Sequence, residues 1–164
     1  LALDYATVNP FAFEPAIAPH IAAREAGVEL TAARLIEAVQ PVMARQAGVT
    51  LVEGAGGWRV PLNAREHLSA LPAALGLPVI LVVGVRLGCI NHALLSAEAI
   101  ARDGLALAGW VANIIDPATS RLDDNLATLA ELLPAPCLGQ VPRLAAPTAR
   151  QVARYLTLPA LQPV

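Results

Sequence analysis

The chain has 164 residues, of which 56% are hydrophobic, 4% aromatic and 15% charged, and its formal net charge is −2. A chain of this length fits one domain and buries roughly 70% of the surface that its unfolded form exposes. The composition describes an interior rich in Ala, Leu and Val and excludes a disordered tail. Because the arginines are scattered and the net charge is slightly negative, we expect no nucleic acid partner.

The cysteines and the apolar runs indicate the compartment. Cys89 and Cys137 have neither C-x-x-C spacing nor the number of a disulfide framework, so a reducing cytosol is expected. The longest apolar candidate, residues 68–85, is broken by proline and glycine and is unsuited to cross a membrane. We therefore expect a cytoplasmic protein without a membrane partner.

Helical and extended patterns alternate along the chain after a proline-rich stretch, residues 4–19, which we interpret as an extended loop. We predict helices at residues 20–26, 31–47, 64–75, 90–103, 119–133 and 148–156. We predict strands at residues 49–53, 78–84, 105–112 and 137–141. The helix over 31–47 has the clearest amphipathic spacing, and Thr31 is its predicted cap. Because strands and helices alternate, the pattern favours an α/β fold with a parallel sheet over a sandwich.

Residues 50–58, TLVEGAGGW, are the most informative segment, because an apolar run ends in one carboxylate followed by three glycines in four positions. An apolar run without alternation suits a strand covered on both faces, and glycines let backbone N–H groups approach a ligand. Glu53 is then expected at the carboxyl end of the strand, where open α/β sheets bind ligands. The alternative is a strand that ends in a tight turn with a solvated Glu53.

Five separated segments closely resemble the dethiobiotin synthetase family. They are DYATVNPFAFEPAIAPH at residues 4–20, VEGAGGW at 52–58, LPVILVVGVRLGCINHALL at 77–95, LAGWVAN at 107–113 and LGQVPRL at 138–144. The resemblance covers almost the whole chain. It implies an α/β, three-layer parallel-sheet fold of the P-loop NTPase-like class, in one domain over residues 1–164.

One part of the family pattern is missing. The family begins with a strand, a G-x-x-x-x-G-K-[ST] phosphate loop and a helix. No such motif occurs here, and the 11 basic residues are all Arg, so the phosphate-loop lysine and the family's catalytic lysine are both absent. Because the chain also begins with Leu1, we expect an N-terminally truncated sequence, roughly the carboxyl-terminal two thirds of the enzyme, without catalytic residues of its own.

The resemblance implies that the glycine-rich segment binds ATP and Mg²⁺. Glu53 would bind Mg²⁺, an ion that prefers oxygen ligands and takes only one or two carboxylates beside nucleotide phosphates. Gly54, Ala55 and Gly56 would present backbone groups to the nucleotide, and Gly57 would contact the substrate. The alternative is that the glycines serve the turn alone.

Gly88, Cys89, Ile90 and Asn91 begin a predicted helix directly after a strand. A helix N-terminus carries unpaired N–H groups and partial positive charge, which stabilise a carboxylate. The resemblance implies that this turn receives the carboxylate of 7,8-diaminopelargonate from the partner subunit of a homodimer. In the alternative, Asn91 caps the helix and Cys89 packs as a small hydrophobic residue.

The resemblance also implies two base-binding segments. Asn113 would read the adenine edge, because an amide is both donor and acceptor. Ile114 follows it, where a common form of the family has an acid. Pro142, Arg143 and Leu144 match the second base-binding loop, although Arg143 is alternatively a surface charge.

The implied activity is ATP- and Mg²⁺-dependent carboxylation and ring closure of 7,8-diaminopelargonate with CO₂ or bicarbonate, which forms dethiobiotin in biotin biosynthesis. Such a protein is a cyclo-ligase, and we expect the present chain alone to be inactive. Histidine spacing excludes a zinc site, and the absence of G-x-S-x-G excludes a serine hydrolase of that type. Two alternatives remain: another P-loop amide-forming synthetase, similar to the cobyrinic acid diamide synthetases, and a non-catalytic dimerisation module that lost its phosphate loop.

Overall fold

The computed structural model describes residues 3–159. The chain divides into two compact units, Leu1–Gly76 and Leu77–Val164, and each has its own buried cluster. The expectation of one domain over residues 1–164 stays a prediction. Within residues 3–159, every helix is too short or too polar to cross a membrane.

The described part of the first unit is helical and irregular. Its helices are α1 (Tyr5–Val8), α2 (Pro19–Glu25), α3 (Ala32–Met43) and α4 (Ala70–Leu75). As predicted, Thr31 caps α3, since its hydroxyl accepts a hydrogen bond from the Arg34 amide at 3.3 Å. The small core of this unit contains Ala23, Leu30, Ala32 and Leu62.

Helix α1 lies inside the stretch that the sequence predicted to be extended, so that prediction was wrong for four residues. Asp4 caps this helix, since its carboxylate accepts a hydrogen bond from the Thr7 amide at 2.7 Å. The hydrogen bonds from Thr7 also lower the pKa of the Asp4 carboxyl below its ordinary value.

Residues 49–53, which were predicted to form a strand, are irregular in the structure. The prediction of a buried strand was therefore wrong, and Leu51 is 78% exposed. A strand requires a neighbour that pairs with its N–H and C=O groups. Among the strands within residues 3–159, none pairs with this segment, so it forms no part of a sheet.

The predicted helix at 64–75 begins only at Ala70. The Asn63 side-chain oxygen accepts hydrogen bonds from the amides of Arg65 and Glu66, at 2.9 and 3.1 Å. An Asn side chain that binds nearby amides in this way competes with helix formation. The residues before α4 consequently form a turn, closed by an antiparallel bridge between Pro61 and His67.

The second unit confirms the α/β prediction. Its elements are β1 (Val79–Val85), α5 (Cys89–Arg102), β2 (Leu107–Ile114), α6 (Leu122–Leu132), β3 (Cys137–Val141) and α7 (Ala149–Val152), followed by a 3₁₀ turn, Ala153–Tyr155. The strands are parallel, in the order β1-β2-β3. Their carboxyl ends therefore meet at one edge of the sheet, where ligands bind in open α/β folds.

Hydrophobic residues cover the sheet differently on its two faces. On one face, Val85 and Trp110 pack with residues of α5 and α6, and both are almost completely buried. Burial of a side chain of the size of Val or Leu contributes about 1.5–3 kcal/mol, and the buried cluster on this face has more members than the one on the other face. On the other face, Val111 and Val141 pack against Val152 of α7.

Strand β1 has one unpaired edge in the described sheet, because it pairs with β2 on one side only. Val82, in the middle of β1, is 61% exposed. We expect the 164-residue chain to associate with itself through this edge, since unpaired apolar strands recruit other chains. Static light scattering should give a mass that rises with concentration, and Val82→Lys should reduce the rise.

A control variant separates association through the strand edge from nonspecific hydrophobic association. Leu132→Lys introduces the same charge on α6, where the side chain is 50% exposed. We expect Leu132→Lys to associate as the wild type does. A chain of constant mass and with a cooperative thermal transition would contradict the role assigned to β1.

Candidate functional site

Glu53, Gly54 and Ala55 line a cavity of about 740 Å³ within the first unit. Its wall is mainly apolar, and Glu53 and Arg45 are its charged residues. Glu53 is exposed, so its carboxylate is accessible to an ion. Within residues 3–159 no cluster of three His, Cys, Asp or Glu side chains is suited to hold a metal. A single accessible carboxylate nevertheless fits Mg²⁺, which takes most of its ligands from phosphates and water.

The glycines of this segment have different surroundings. A Cβ on Gly54 would lie 2.5 Å from the Leu68 side chain, and one on Gly56, where φ is +90°, would lie 2.8 Å from the Val60 side chain. The positive φ of Gly56 favours glycine at that position, whereas the contact at Gly54 involves only the end of the flexible Leu68 side chain. Around Gly57 there is open space within 4 Å, so only this glycine combines accessibility with freedom from packing constraints.

The five residues predicted to bind the base line one cavity of about 460 Å³ in the second unit. Asn113 and Ile114 end β2, and Pro142, Arg143 and Leu144 follow β3. In the sheet register Asn113 pairs with Val141, so the two segments leave the sheet side by side. The geometry thus joins two segments that are almost 30 residues apart in the sequence.

The wall of this cavity is mainly apolar, with few polar side chains. Apolar side chains form most of the wall, among them Val82, Val111 and Leu156. Asn113 is half-buried and supplies a side chain that both donates and accepts hydrogen bonds. Small-molecule sites commonly combine an apolar wall with a few placed polar groups.

Pro147, Val152 and Leu156 form a further wall of the cavity that no sequence pattern indicated. This carboxyl-terminal segment returns to β3 beside Gly139. Leu156 forms an antiparallel bridge with Gly139, and the Thr157 amide donates to the Leu138 carbonyl at 2.8 Å. A glycine at position 139 is a weak signal for such an approach, because many glycines merely form turns.

A further contact without a sequence signal joins the two segments that were predicted to bind the base. Nη1 of Arg143 donates a hydrogen bond to the Ile115 carbonyl at 2.6 Å. Ile115 also lines the cavity. The contact shows that Arg143, although exposed, is attached to the neighbouring loop.

The four residues predicted to bind the substrate, Gly88, Cys89, Ile90 and Asn91, lie together at the start of α5. Gly88 is the N-cap, with φ of +89°, so the alternative in which Asn91 caps the helix is wrong. Cys89 is buried in the core, and its amide donates to the Arg86 carbonyl at 3.0 Å. The amides of Ile90 and Asn91 lie in the first turn, where a helix supplies no acceptor. This arrangement can present N–H groups to an anion.

Comparison with known proteins identifies the family. The profile of the AAA domain family matches residues 2–151. The chain is 75% identical over 158 residues to the ATP-dependent dethiobiotin synthetase of Pseudomonas paraeruginosa strain PA7. The aligned region covers 96% of this chain and 69% of that relative. It is 58% identical over 167 residues to the enzyme of the same name from Chromohalobacter salexigens, and that aligned region covers 94% of this chain and 70% of the relative. The chain therefore belongs to the dethiobiotin synthetase family.

Proposed function

We propose that this chain serves ATP-dependent formation of dethiobiotin from 7,8-diaminopelargonate and CO₂. The observation that carries the proposal is 75% identity to a dethiobiotin synthetase along nearly the whole chain. The reaction has three stages: an amine of the substrate takes up CO₂ as a carbamate, the carbamate is phosphorylated, and the second amine closes the ring as phosphate leaves. Such catalysis depends mainly on positioning and on neutralising negative charge.

Glu53 would bind Mg²⁺. Its exposed carboxylate beside a glycine-rich turn fits an ion that keeps several water ligands. When bound, Mg²⁺ supplies positive charge next to phosphate oxygens. Gly54, Ala55 and Gly56 would offer backbone groups to the nucleotide, and Gly57, around which there is space, would contact the substrate.

The cavity at the carboxyl ends of β2 and β3 would bind the adenine of ATP. Asn113 supplies the amide that reads the base edge, and Pro142 and Leu144 supply apolar wall on either side of Arg143. Ile114 stands where a common family form has an acid. Recognition of the base would therefore depend on Asn113 and on backbone groups.

The first turn of α5 would bind the substrate carboxylate, in a homodimer and in the cytoplasm. Support comes from the exposed Gly88 and Asn91 and from the first-turn amides of Ile90 and Asn91. A carboxylate is stabilised at such a position by unpaired N–H groups and by the helix dipole. Cys89 would contribute through its backbone only, because its side chain is buried.

A second candidate is a non-catalytic dimerisation module. The residues of this chain contain no lysine and no phosphate-loop motif, so by themselves they do not decide against this alternative. The names of the relatives favour dethiobiotin synthetase over the other amide-forming synthetases that the sequence left open.

One experiment separates the enzyme from the module. We expect the purified 164-residue chain to form no dethiobiotin above a control without protein, because it contains neither a phosphate-loop motif nor any lysine to neutralise phosphate charge. In a fusion protein, this chain is placed behind the amino-terminal part of the Pseudomonas paraeruginosa relative that precedes its matched residues. The fusion protein should form dethiobiotin when ATP, Mg²⁺, bicarbonate and diaminopelargonate are all supplied.

The fusion protein with its phosphate-loop lysine replaced by alanine is the matched negative control. If the fusion protein folds as a soluble species but remains as inactive as this control, the module is favoured. Activity of the 164-residue chain by itself would contradict the expectation of an incomplete site.

A further inference from the structure

We propose that Arg143 is a positioning residue that sets the spacing of the two loops on either side of the base cavity. Its Nη1 atom donates to the Ile115 carbonyl, 28 residues earlier in the chain, at 2.6 Å. Both residues line the cavity, so the hydrogen bond joins two of its walls. This inference rests on the proposed function for its link to the nucleotide, but the contact itself belongs to the chain alone.

Each of the two loops is locally ordered on its own side. The Asp116 carboxylate accepts a hydrogen bond from the Ala118 amide at 2.9 Å, and the Thr119 hydroxyl donates to the Asp116 carbonyl at 2.8 Å. These contacts form a turn directly after Ile115. Pro142 restricts the backbone directly before Arg143. Arg143 therefore connects two locally ordered segments. A hydrogen bond between ordered segments fixes the distance between the two loops more effectively than one between mobile loops.

The contact differs from an ordinary surface charge. The acceptor of the guanidinium is a main-chain carbonyl, whose position is determined by the backbone. Hydrogen bonds with an ionised donor are stronger than neutral ones, and a fixed acceptor adds geometric specificity. A cavity with preformed spacing loses less conformational entropy when a flat base enters it.

Arg143→Met tests this role, because methionine keeps much of the apolar length and removes every donor. Arg143→Lys retains a charged donor. The matched control is Arg150→Met, which removes the same charge from an exposed position on α7. All three variants are compared with the wild type in two measurements.

The first measurement is amide hydrogen exchange in the 164-residue chain without nucleotide. We expect Arg143→Met to accelerate exchange about fivefold in residues 114–116 and 143–144, while α6 keeps the exchange rates of the wild type. Arg150→Met should leave both loops unchanged. Arg143→Lys should lie between the wild type and Arg143→Met.

The second measurement is steady-state kinetics of the fusion protein. We expect Arg143→Met to raise the KM for ATP about fivefold with little change in kcat, because the base takes no part in the chemical step. Equal behaviour of Arg143→Met and Arg150→Met in both measurements would overturn the inference. A raised KM without faster loop exchange would also overturn it, since Arg143 would then contact the nucleotide directly.

The two measurements distinguish this inference from the proposed function. If the wild-type fusion protein binds no nucleotide, the proposed function fails, and hydrogen exchange alone decides whether Arg143 holds the loops. Faster exchange of both loops in Arg143→Met would then support the positioning role. Unchanged exchange would refute it.

Discussion

Replacing Glu53 by glutamine should lower the turnover of the fusion protein by about 100-fold or more. Glutamine preserves the shape of the side chain and removes the negative charge that would hold Mg²⁺. Glu53 is exposed beside a glycine-rich turn, so the replacement disturbs no buried contact. The measurement is the initial rate of dethiobiotin formation as a function of Mg²⁺ concentration, and the variant should require more Mg²⁺ than the wild type.

Glu37→Gln is the matched control for this prediction. Glu37 is an exposed carboxylate on α3 in the same unit. Its replacement changes the net charge equally, so a rate close to the wild type is expected. If Glu53→Gln instead kept the rate and the Mg²⁺ dependence of the wild type, Glu53 would be a solvated residue of the turn.

Replacing Gly139 by alanine should destabilise the second unit by about 3 kcal/mol. A Cβ at this position would lie 1.9 Å from the Tyr155 carbonyl oxygen, and φ of +155° is unfavourable for a side chain. Relief of the clash requires the segment around Leu156 to move away from β3, and with it one wall of the cavity beside Asn113. We expect the thermal midpoint, followed by circular dichroism, to fall by roughly 10 °C.

Gly104→Ala separates the clash from the backbone conformation. Gly104 has φ of +81°, but nothing lies within 4 Å of the position of its Cβ. Its replacement should therefore cost only the conformational part, about 1 kcal/mol. Equal losses in the two variants would show that the approach of Tyr155 to Gly139 contributes little to stability.

The alternation of β1, α5, β2, α6 and β3 was predictable because each element has its signal within its own residues. Apolar runs define the strands, and three- and four-residue spacing defines the helices. Resemblance singled out Asn113 and Arg143, since both lie in motifs of the family, and their role in binding a base stays a prediction. Their convergence on one cavity follows from the parallel sheet, whose strands end at a common edge.

Contacts between distant residues decided the rest. The run at 50–53 has the local signal of a strand, but strand formation requires a paired neighbour, and the described sheet supplies none there. The hydrogen bond between Arg143 and Ile115 and the approach of Tyr155 to Gly139 join residues that no periodicity relates.

The sequence by itself therefore determined the α/β class, the family and the candidate ligand residues. Only the tertiary structure decided that residues 50–53 form no strand and that the segment around Leu156 lines the same cavity as Asn113. The physical reason is the range of the interactions. Helix spacing and caps act within a few residues, whereas strand pairing and loop contacts depend on which distant groups the folded backbone brings within hydrogen-bonding distance.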